Sequence, residues 1–392
     1  MYGVALEGGG MKGAYHLGAM KAILECGYEI GGYVGTSIGS FNAAVLAQGD
    51  FKKLYDKWYD GSATLGVDLE ENEITKLISK KIDIPGVKYW VKFISDSIAN
   101  KGIDSAKLKA FYDEFIDEEK LRNSPYDYGL VTVSLTDKKP VYMFKEDIPE
   151  GEVSNYVLAS SYLPVFKQDK ILNDNKFYLD GGFYDNCPIT LLKKKGYKDI
   201  IEIRTGAIGI SKKVDRKNLN IITISPSKDL TGGIILSDNK AVRSDMQMGY
   251  FDALRVIKGY IGDKFYVIST QNEKVFETLL KLTDEQILNV IDGVKINGID
   301  GMEPKKILFE KVFPLIQSKM KSKDTSTYQK AMISMIEYLT EDEIKIYKLY
   351  TFEELLAEFK KKIPKLLKAE KAALIKNGVN ILILKLLKEI DI

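Results

Sequence analysis

Short apolar runs alternate with helix-like stretches along the first 270 residues of the chain. Apolar runs rich in β-forming residues occur at 3–6, 32–35, 128–135, 140–144, 200–203, 221–224 and 264–268. Apolar positions at helical spacing lie between several of them, at 12–25, 38–46, 106–115, 153–160 and 188–195. This alternation predicts an α/β layered domain with a central, largely parallel sheet flanked by helices. A short polar turn separates the runs at 128–135 and 140–144, which predicts a hairpin.

The strand signals fade after residue 270, where capping boxes mark the starts of helices. The capping pairs are Thr283 with Gln286, Thr340 with Glu343, and Thr351 with Glu354. Each pair opens a run of apolar residues at three-to-four spacing, the pattern of an amphipathic helix. We therefore predict a layered domain over residues 1–270 and an α-helical C-terminal region over residues 271–392.

Composition narrows the classes of function. Lys and Arg number 57 against 55 Asp and Glu, a net charge of +2 that argues against a nucleic-acid partner. Cys26 and Cys187 lack metal-ligand spacing, so a disulfide framework is excluded and a reducing compartment is favoured. The single histidine, His16, excludes a His-rich zinc site. No targeting segment or membrane-length apolar run is visible, so a cytoplasmic protein is expected, with peripheral membrane contact left open.

A glycine-rich loop, Gly8-Gly9-Gly10-Met11-Lys12-Gly13, follows the first strand and opens a helix. Glycines let the backbone approach an anion closely, and a helix N-terminus offers free N–H groups. The spacing also fits G-x-G-x-x-G of dinucleotide-binding proteins. The loop therefore indicates either a nucleotide site or an oxyanion hole, and a tight turn without a ligand is the plain structural alternative.

A second motif, Gly35-Thr36-Ser37-Ile38-Gly39, again lies between a predicted strand and a predicted helix. The pattern is G-x-S-x-G, a nucleophile elbow in which small neighbours leave the Ser37 hydroxyl exposed. A dinucleotide site would require an acidic residue here, so nucleotide binding is disfavoured. The glycine loop is better interpreted as an oxyanion hole, with the N–H groups of Gly9 and Gly10 directed at developing charge.

A serine nucleophile requires a base, and two residues are candidates. His16 lies early in the first predicted helix, where a buried packing role is more common than a catalytic one. Asp180 ends an apolar segment and precedes Gly181 and Gly182, so its carboxylate would be held at a strand end. Asp-Gly-Gly is also an ordinary turn sequence, and taken by itself favours that interpretation.

Together the three motifs resemble the patatin-like phospholipase family. Further segments resemble that family at 159–166, 180–188 and 249–253. The resemblance covers about residues 1–270 and implies a layered α/β fold and a Ser-Asp dyad of Ser37 and Asp180. It implies that the elbow comprises Gly35, Thr36, Ile38 and Gly39, and that Gly181 and Gly182 complete the aspartate motif. It implies that the oxyanion hole comprises Gly8, Gly9, Gly10, Lys12 and Gly13. Lys12 can equally be a solvated lysine.

The resemblance implies a lipid acyl hydrolase that acts on a phospholipid or another acyl-ester lipid, without a metal or other cofactor. Two alternatives stay open: a lipid-binding module that has lost turnover, and a nucleotide-dependent enzyme that uses Gly8–Gly13. In the C-terminal tail, Phe359, Ile363, Leu366 and Leu367 form an apolar stripe among lysines. Such a stripe suits either an anionic membrane surface or, more commonly, a helix that covers the catalytic domain and exposes a solvated lysine face.

Overall fold

A seven-stranded sheet organises the first of two units into which the chain divides, Met1–Ile257 and Lys258–Ile392. The domain boundary at residue 270, between a layered domain and a helical C-terminal region, remains a prediction from the sequence. The computed structural model describes residues 1–60, 104–167, 169–232, 238–269, 272–320, 326–340, 344–372 and 378–391.

The strands of the sheet are β1 (Tyr2–Leu6), β2 (Ile30–Thr36), β3 (Asp127–Ser134), β4 (Lys139–Phe144), β5 (Tyr178–Asp180), β6 (Asp199–Ile203) and β7 (Asn220–Ile224). Their order is β4-β3-β2-β1-β6-β7, with β5 paired to β3. The strands from β3 to β7 in this order run parallel, whereas β4 and β5 are antiparallel to β3. The predicted layered α/β fold and the β3–β4 hairpin are confirmed. Strand β2 is buried along its whole length, which explains its continuous apolar sequence.

The helices of the first unit are α1 (Ala14–Glu25), α2 (Ile38–Ala47), α3 (Phe51–Tyr59), α4 (Ala106–Phe115), α5 (Glu118–Asn123), α6 (Val153–Ser160), α7 (Ile189–Lys194) and α8 (Asn239–Lys258). A short 3₁₀ turn, Gly10–Gly13, precedes α1. Helix α2 packs on β2 and β3, and α7 packs on β1, β2 and β6. The sheet is thus flanked by helices, as the sequence predicts.

Helices α1 and α8 cross at unusually close range. A Cβ at Gly18 would collide with the backbone of Met246, and a Cβ at Gly249 would collide with the backbone of Tyr15. The Tyr15 hydroxyl donates to Asp252 at 3.1 Å. The segment 249–253, which carries part of the family resemblance, therefore has a packing role in this unit.

The second unit contains helices and one small sheet. Its helices are α9 (Asn272–Lys281), α10 (Asp284–Ile291), α11 (Pro304–Ile307), α12 (Phe313–Met320), α13 (Tyr328–Leu339), α14 (Phe352–Lys360), α15 (Ile363–Ala372) and α16 (Gly378–Glu389). The sheet pairs β8 (Tyr266–Val267) with β9 (Leu349–Tyr350) in parallel. The run at 264–268 is thus shorter than predicted and pairs within this unit.

Two of the three predicted capping boxes are present, at Thr283 and Thr351. The third involves Glu343, which lies outside the described residues. Thr340 instead ends α13, and its hydroxyl donates to the carbonyl of Ile336. The described residues that follow contain strand β9 instead of the predicted helix.

The apolar stripe of the C-terminal tail lies against the core of the second unit. Phe359 and Ile363 are buried in that core, and Leu366 and Leu367 pack against it. These contacts support a packing role for the stripe, here within the second unit. None of the described helices is both long enough and apolar enough to span a bilayer.

Candidate active site

The two motif-bearing loops leave the sheet side by side. Strands β1 and β2 are parallel neighbours that end in register, with Leu6 paired to Gly35. Strand β1 also pairs with β6, so the chain adds strands to the sheet on both sides of β1. In open α/β sheets the crevice at the carboxyl ends of such strands is the usual ligand site. The glycine loop and Ser37 therefore share one edge of the sheet.

Ser37 adopts the backbone conformation of a nucleophile elbow, with φ at 56° and ψ at −131°. A non-glycine residue in this region costs about 1–3 kcal/mol, and such strain is typical of functional sites. A Cβ at Gly35 would collide with the backbone of Gly39, and a Cβ at Gly39 would collide with that of Leu6. The two glycines are therefore required for β2 to turn directly into α2.

Ser160, the last residue of α6, stabilises the strained turn at Ser37. The Ser160 hydroxyl accepts a hydrogen bond from the Ser37 N–H at 2.9 Å and donates to the Val131 carbonyl at 2.7 Å. The Ser37 carbonyl in turn accepts from the Ser40 hydroxyl at 2.6 Å. Ser160 lies in the segment 159–166 that carries part of the family resemblance, but no role was predicted for it from the sequence.

The register of β5 brings Asp180 to the end of β2. The last residue pair between β2 and β3 is Thr36 with Val131, and the next residue of β3, Thr132, pairs with Asp180. Because β4 occupies the other edge of β3, β5 continues along the edge that β2 leaves. Asp180 therefore lies where the chain turns away at Ser37.

The Asp180 carboxylate is buried and hydrogen-bonded. It accepts from the Gly182 N–H at 2.7 Å. Burial raises its pKa to about 6, and the Ser37 side chain and the Gly182 N–H oppose that rise. Gly181 lies against Val131 and Thr36 so closely that a Cβ would collide with the Val131 carbonyl. The carboxylate is a stronger base than a solvated Asp, whose pKa is about 3.9.

The glycine loop lies directly on the elbow. A Cβ at Gly8 would fall 3.2 Å from the Cβ of Ser37. Gly9 and Gly10 have φ of 150° and 59°, values that favour glycine. The Gly8 N–H donates to the Asn186 carbonyl at 3.0 Å, whereas no described group accepts from the N–H of Gly9 or Gly10. Two unpaired donors at this point are what an oxyanion hole requires.

The buried carboxylate of Glu7 helps to hold the glycine loop in place. Glu7 accepts from the N–H groups of Thr205 and Gly206 at 2.6 and 3.0 Å, and pairs with Arg204 at 2.8 Å. The Thr205 hydroxyl donates to the Gly8 carbonyl at 2.6 Å. Burial raises the pKa of Glu7, while Arg204 lowers it. The sequence analysis missed both Glu7 and Thr205, although an acid at the end of an apolar strand was a visible signal.

A sequence model of the patatin-like phospholipases matches residues 4–193, which include both loops and Asp180. This part of the chain belongs to the patatin-like phospholipase family. Lysophospholipase NTE1 of Eremothecium gossypii is 30% identical over 210 residues, which is 53% of this chain and 12% of that protein. Patatin-like phospholipase domain-containing protein 7 of Rattus norvegicus is 25% identical over 208 residues, 52% of this chain and 13% of that protein.

The chain thus spans about an eighth of the length of these curated relatives. Among solved structures, VipD from Legionella pneumophila is similar over 98% of this chain and 90% of that chain, with 16% identity and a TM-score of 0.41. A likeness at that score is too low to support an argument about function.

Two other predicted members of the oxyanion hole have different surroundings in the patatin-like domain. The Lys12 N–H donates to the Gly9 carbonyl at 3.3 Å, and the residue lines an open cavity of about 400 Å³ that Arg204 and Lys228 also line. Gly13 faces Ile38, and a Cβ there would fall 2.9 Å from that side chain. Gly13 therefore lets the first helix approach the elbow, and Lys12 contributes positive charge beside the loop.

His16 is fully buried in the patatin-like domain and neutral. The Nδ1 of His16 lies 3.2 Å from the Nδ2 of Asn42. The Oδ1 of Asn42 accepts a hydrogen bond from Trp58, which identifies Nδ2 as the donor toward His16. The Nδ1 of His16 is therefore the acceptor, and its Nε2 carries the proton. Nε2 has no hydrogen-bond partner among the described residues, and burial lowers the pKa of the ring to about 3. None of the described hydrogen bonds links His16 to Ser37 or Asp180, which agrees with the packing role predicted from the sequence.

Proposed function

We propose that the patatin-like domain hydrolyses carboxylic esters of lipids through an acyl-Ser37 intermediate, with Asp180 as the base. The observation that carries the proposal is the sheet register that brings the buried Asp180 to the end of β2 at Ser37, close enough for the Ser37 side chain to lower the pKa of the carboxyl. A nucleophile within hydrogen-bond reach of its base is the arrangement that acyl transfer requires.

In the first half of the reaction, the Ser37 Oγ attacks the ester carbonyl carbon and its proton passes to Asp180. The carbonyl oxygen becomes an oxyanion, which the N–H groups of Gly9 and Gly10 stabilise. The positive end of the α2 dipole, directed at Ser37, favours the same negative charge. The intermediate then collapses, the bond to the alcohol oxygen breaks, and the alcohol takes the proton from Asp180.

In the second half, water replaces the alcohol. Asp180 accepts a proton from the water, whose oxygen attacks the acyl carbon, and the same N–H groups hold the second oxyanion. Collapse breaks the bond to the Ser37 Oγ, which recovers the proton, and the fatty acid leaves. The raised pKa of Asp180 suits this cycle, because a base with a pKa closer to neutrality accepts a proton more readily.

The substrate class we propose is a phospholipid, a lysophospholipid or another acyl-ester lipid. The names of the curated relatives, lysophospholipase and patatin-like phospholipase, support this class. The single ester bond of a lysophospholipid makes it the simplest lipid substrate to assay.

The test compares the wild-type protein with Ser37→Ala on a short p-nitrophenyl ester and on a panel of lysophospholipids and diacyl phospholipids. We expect the variant to lose about 10⁴-fold or more in turnover, since removal of a serine nucleophile has effects of this order. A fluorophosphonate should label Ser37, with the site checked by peptide mass spectrometry.

Turnover by a folded Ser37→Ala protein would contradict the assignment of the nucleophile. Vesicle binding by a folded wild-type protein that neither turns over esters nor takes the label would favour the lipid-binding module instead. Nucleotide binding that shields Gly8–Gly13 would favour the nucleotide-dependent enzyme instead.

A further inference from the structure

Two isoleucines beside the active site are left in solvent. Among the described residues, Ile208 and Ile210 are 71% and 58% exposed, and of the large apolar side chains only Met1, at the start of the chain, is more exposed. Single exposed apolar residues are ordinary, but two at such exposure within one tripeptide, Ile208-Gly209-Ile210, form a patch.

The tripeptide is held firmly against the catalytic turn. The Ile210 N–H donates to the Gly182 carbonyl at 2.8 Å, and the Ile210 carbonyl accepts from the Asn186 N–H at 2.7 Å. A Cβ at Gly209 would fall 2.7 Å from the Asn186 side chain, so the backbone lies flat on it. Because these hydrogen bonds fix the main chain, Ile208 and Ile210 are held beside Gly182, two residues after Asp180.

Aromatic and positive side chains adjoin the isoleucines. The Lys212 ammonium lies 5.6 Å from the ring centroids of Tyr142 and Tyr184, and Tyr184 is itself exposed. Lys213 is exposed next to Lys212, and Lys212 is near enough to Asp185 for its charge to lower the pKa of that carboxyl. Apolar, aromatic and cationic side chains together are the composition of surfaces that bind lipid interfaces.

We propose that residues 208–213 and Tyr184, here called the docking rim, seat the protein on an anionic lipid surface. The inference rests on the proposed function, since it explains how an ester in a bilayer reaches Ser37 at the same edge. The isoleucines enter the apolar layer, and Lys212 and Lys213 meet anionic head groups.

The charge of the rim favours lipid over another copy of this chain. Residues 206–213 contain two lysines and no acid, so two rims facing each other would bring like charges together. The basic tail of the second unit is a weaker candidate because its stripe residues Phe359 and Ile363 are buried.

The test measures vesicle binding by co-sedimentation in the Ser37→Ala background, so that turnover plays no part. The vesicles are phosphatidylcholine with and without phosphatidylserine, at low and high salt. We expect Ile208→Ser with Ile210→Ser to lower partitioning by about tenfold or more, as expected for losing two inserted side chains. The matched control is Leu280→Ser with Leu288→Ser, isomeric side chains that are 40% and 49% exposed in the second unit.

Lys212→Glu with Lys213→Glu should abolish the preference for phosphatidylserine and its dependence on salt. Equal loss of binding in the leucine control, or unchanged binding in the isoleucine variant, would overturn the inference. So would a dimer that the isoleucine variant dissociates without any change in vesicle binding. Vesicle binding without ester hydrolysis by the wild type would refute the proposed function alone, and hydrolysis of a soluble ester without vesicle binding would refute the docking rim alone.

Discussion

The two units of the chain bury different kinds of side chain. Among the described residues, most of the fully buried polar side chains lie in the first unit, and the second contributes only Gln329 and Thr340, beside a partly buried Glu337 whose pKa is raised by burial. Those of the first unit include Asp180 and Ser160 at the active site. A buried polar group lowers stability unless it is well hydrogen-bonded, so an interior of this kind has a use other than stability.

Burial in the first unit also shifts its titratable groups toward their neutral forms. It raises the pKa of Asp180 and of Asp185 to about 6, and lowers the pKa of His16 to about 3. In such an interior the loss of one partner changes the charge state of its neighbour. We therefore expect substitutions of the buried active-site residues of the first unit to change the rate, and substitutions in the core of the second unit to change stability alone.

The largest effect on rate after loss of the nucleophile is expected for Asp180→Asn. The amide keeps the size of the carboxylate but cannot accept the Ser37 proton, so kcat on a soluble ester should fall by about 10²–10⁴-fold. Binding of a substrate analogue should change little. The measurement pairs kcat with the melting temperature.

Asp185→Asn is the matched control, since Asp185 is also buried with a pKa raised to about 6 but bonds Tyr142 instead of Ser37. This control should keep most of its activity. If Asp180→Asn also kept a near-normal rate, Asp180 would be only a turn residue, because Asn suits turns almost as well as Asp.

In the second unit the corresponding experiment is Leu384→Ala. Leu384 is completely buried in the helical core, so its truncation should lower the free energy of unfolding of that unit by about 2–5 kcal/mol. Chemical denaturation followed by circular dichroism measures the loss. At a temperature where the variant stays folded, kcat on a soluble ester should not change; a decrease would mean that the second unit supports the active site.

The contrast between the units limits what could be predicted from the sequence. The fold class follows from local patterns, because strands buried on both faces are continuous apolar runs and helices carry their own capping residues. The turn at Ser37 was predictable because five consecutive residues carry the pattern. The role of Asp180 was not settled by local sequence, because β5 has only three residues and pairs with residues at least 44 positions earlier, as in the pair Ser134 with Tyr178.

Contacts between distant segments account for the residues that the sequence analysis missed. Ser160 is 123 residues from Ser37, and Thr205 is 198 residues from Glu7. No local pattern relates such residues, and only the folded sheet brings them together. The short strand β8 was placed in the first domain for the same reason, since its partner β9 follows much later in the chain.

The pH dependence should report the raised pKa of Asp180. Its carboxylate must be ionised to accept a proton, so kcat/KM on a soluble ester should fall about tenfold per pH unit below about 6 and level off above it. The contribution of Asp180 to stability changes in the opposite direction to the activity. Because the folded state binds this proton more tightly than the unfolded state, the free energy of unfolding that Asp180 contributes falls as the pH rises toward 6. An activity limb that persists in Asp185→Asn assigns the proton to Asp180; one that disappears there assigns it to Asp185.

A smaller loss is expected for Ser160→Ala, since Ser160 positions Ser37 and does not touch substrate. The substitution leaves the Ser37 N–H and the Val131 carbonyl without their hydrogen bonds. We expect kcat to fall by about tenfold, with a cost of about 1–3 kcal/mol in stability. Ser161→Ala is the control: its hydroxyl bonds Tyr112 and Val157, so it should lose stability without losing rate. Equal kcat values for the two variants would make Ser160 a purely structural residue.

The smallest effect on rate is expected for His16→Gln. His16 is neutral, bonds only Asn42 among the described residues and takes no part in the proposed proton transfer, so activity should stay within about threefold.

The substitution should instead change the pH dependence of stability. Because the unfolded ring titrates near 6.5 and the folded ring at about 3, the unfolded state binds more protons between these values, and wild-type stability falls as the pH drops through that window. His16→Gln should remove this part of the acid sensitivity while leaving the activity limb of Asp180 in place. Comparing denaturation at pH values across the window with the activity profile separates the two groups, and a rate loss as deep as that of Ser37→Ala would mean a catalytic triad in place of the dyad.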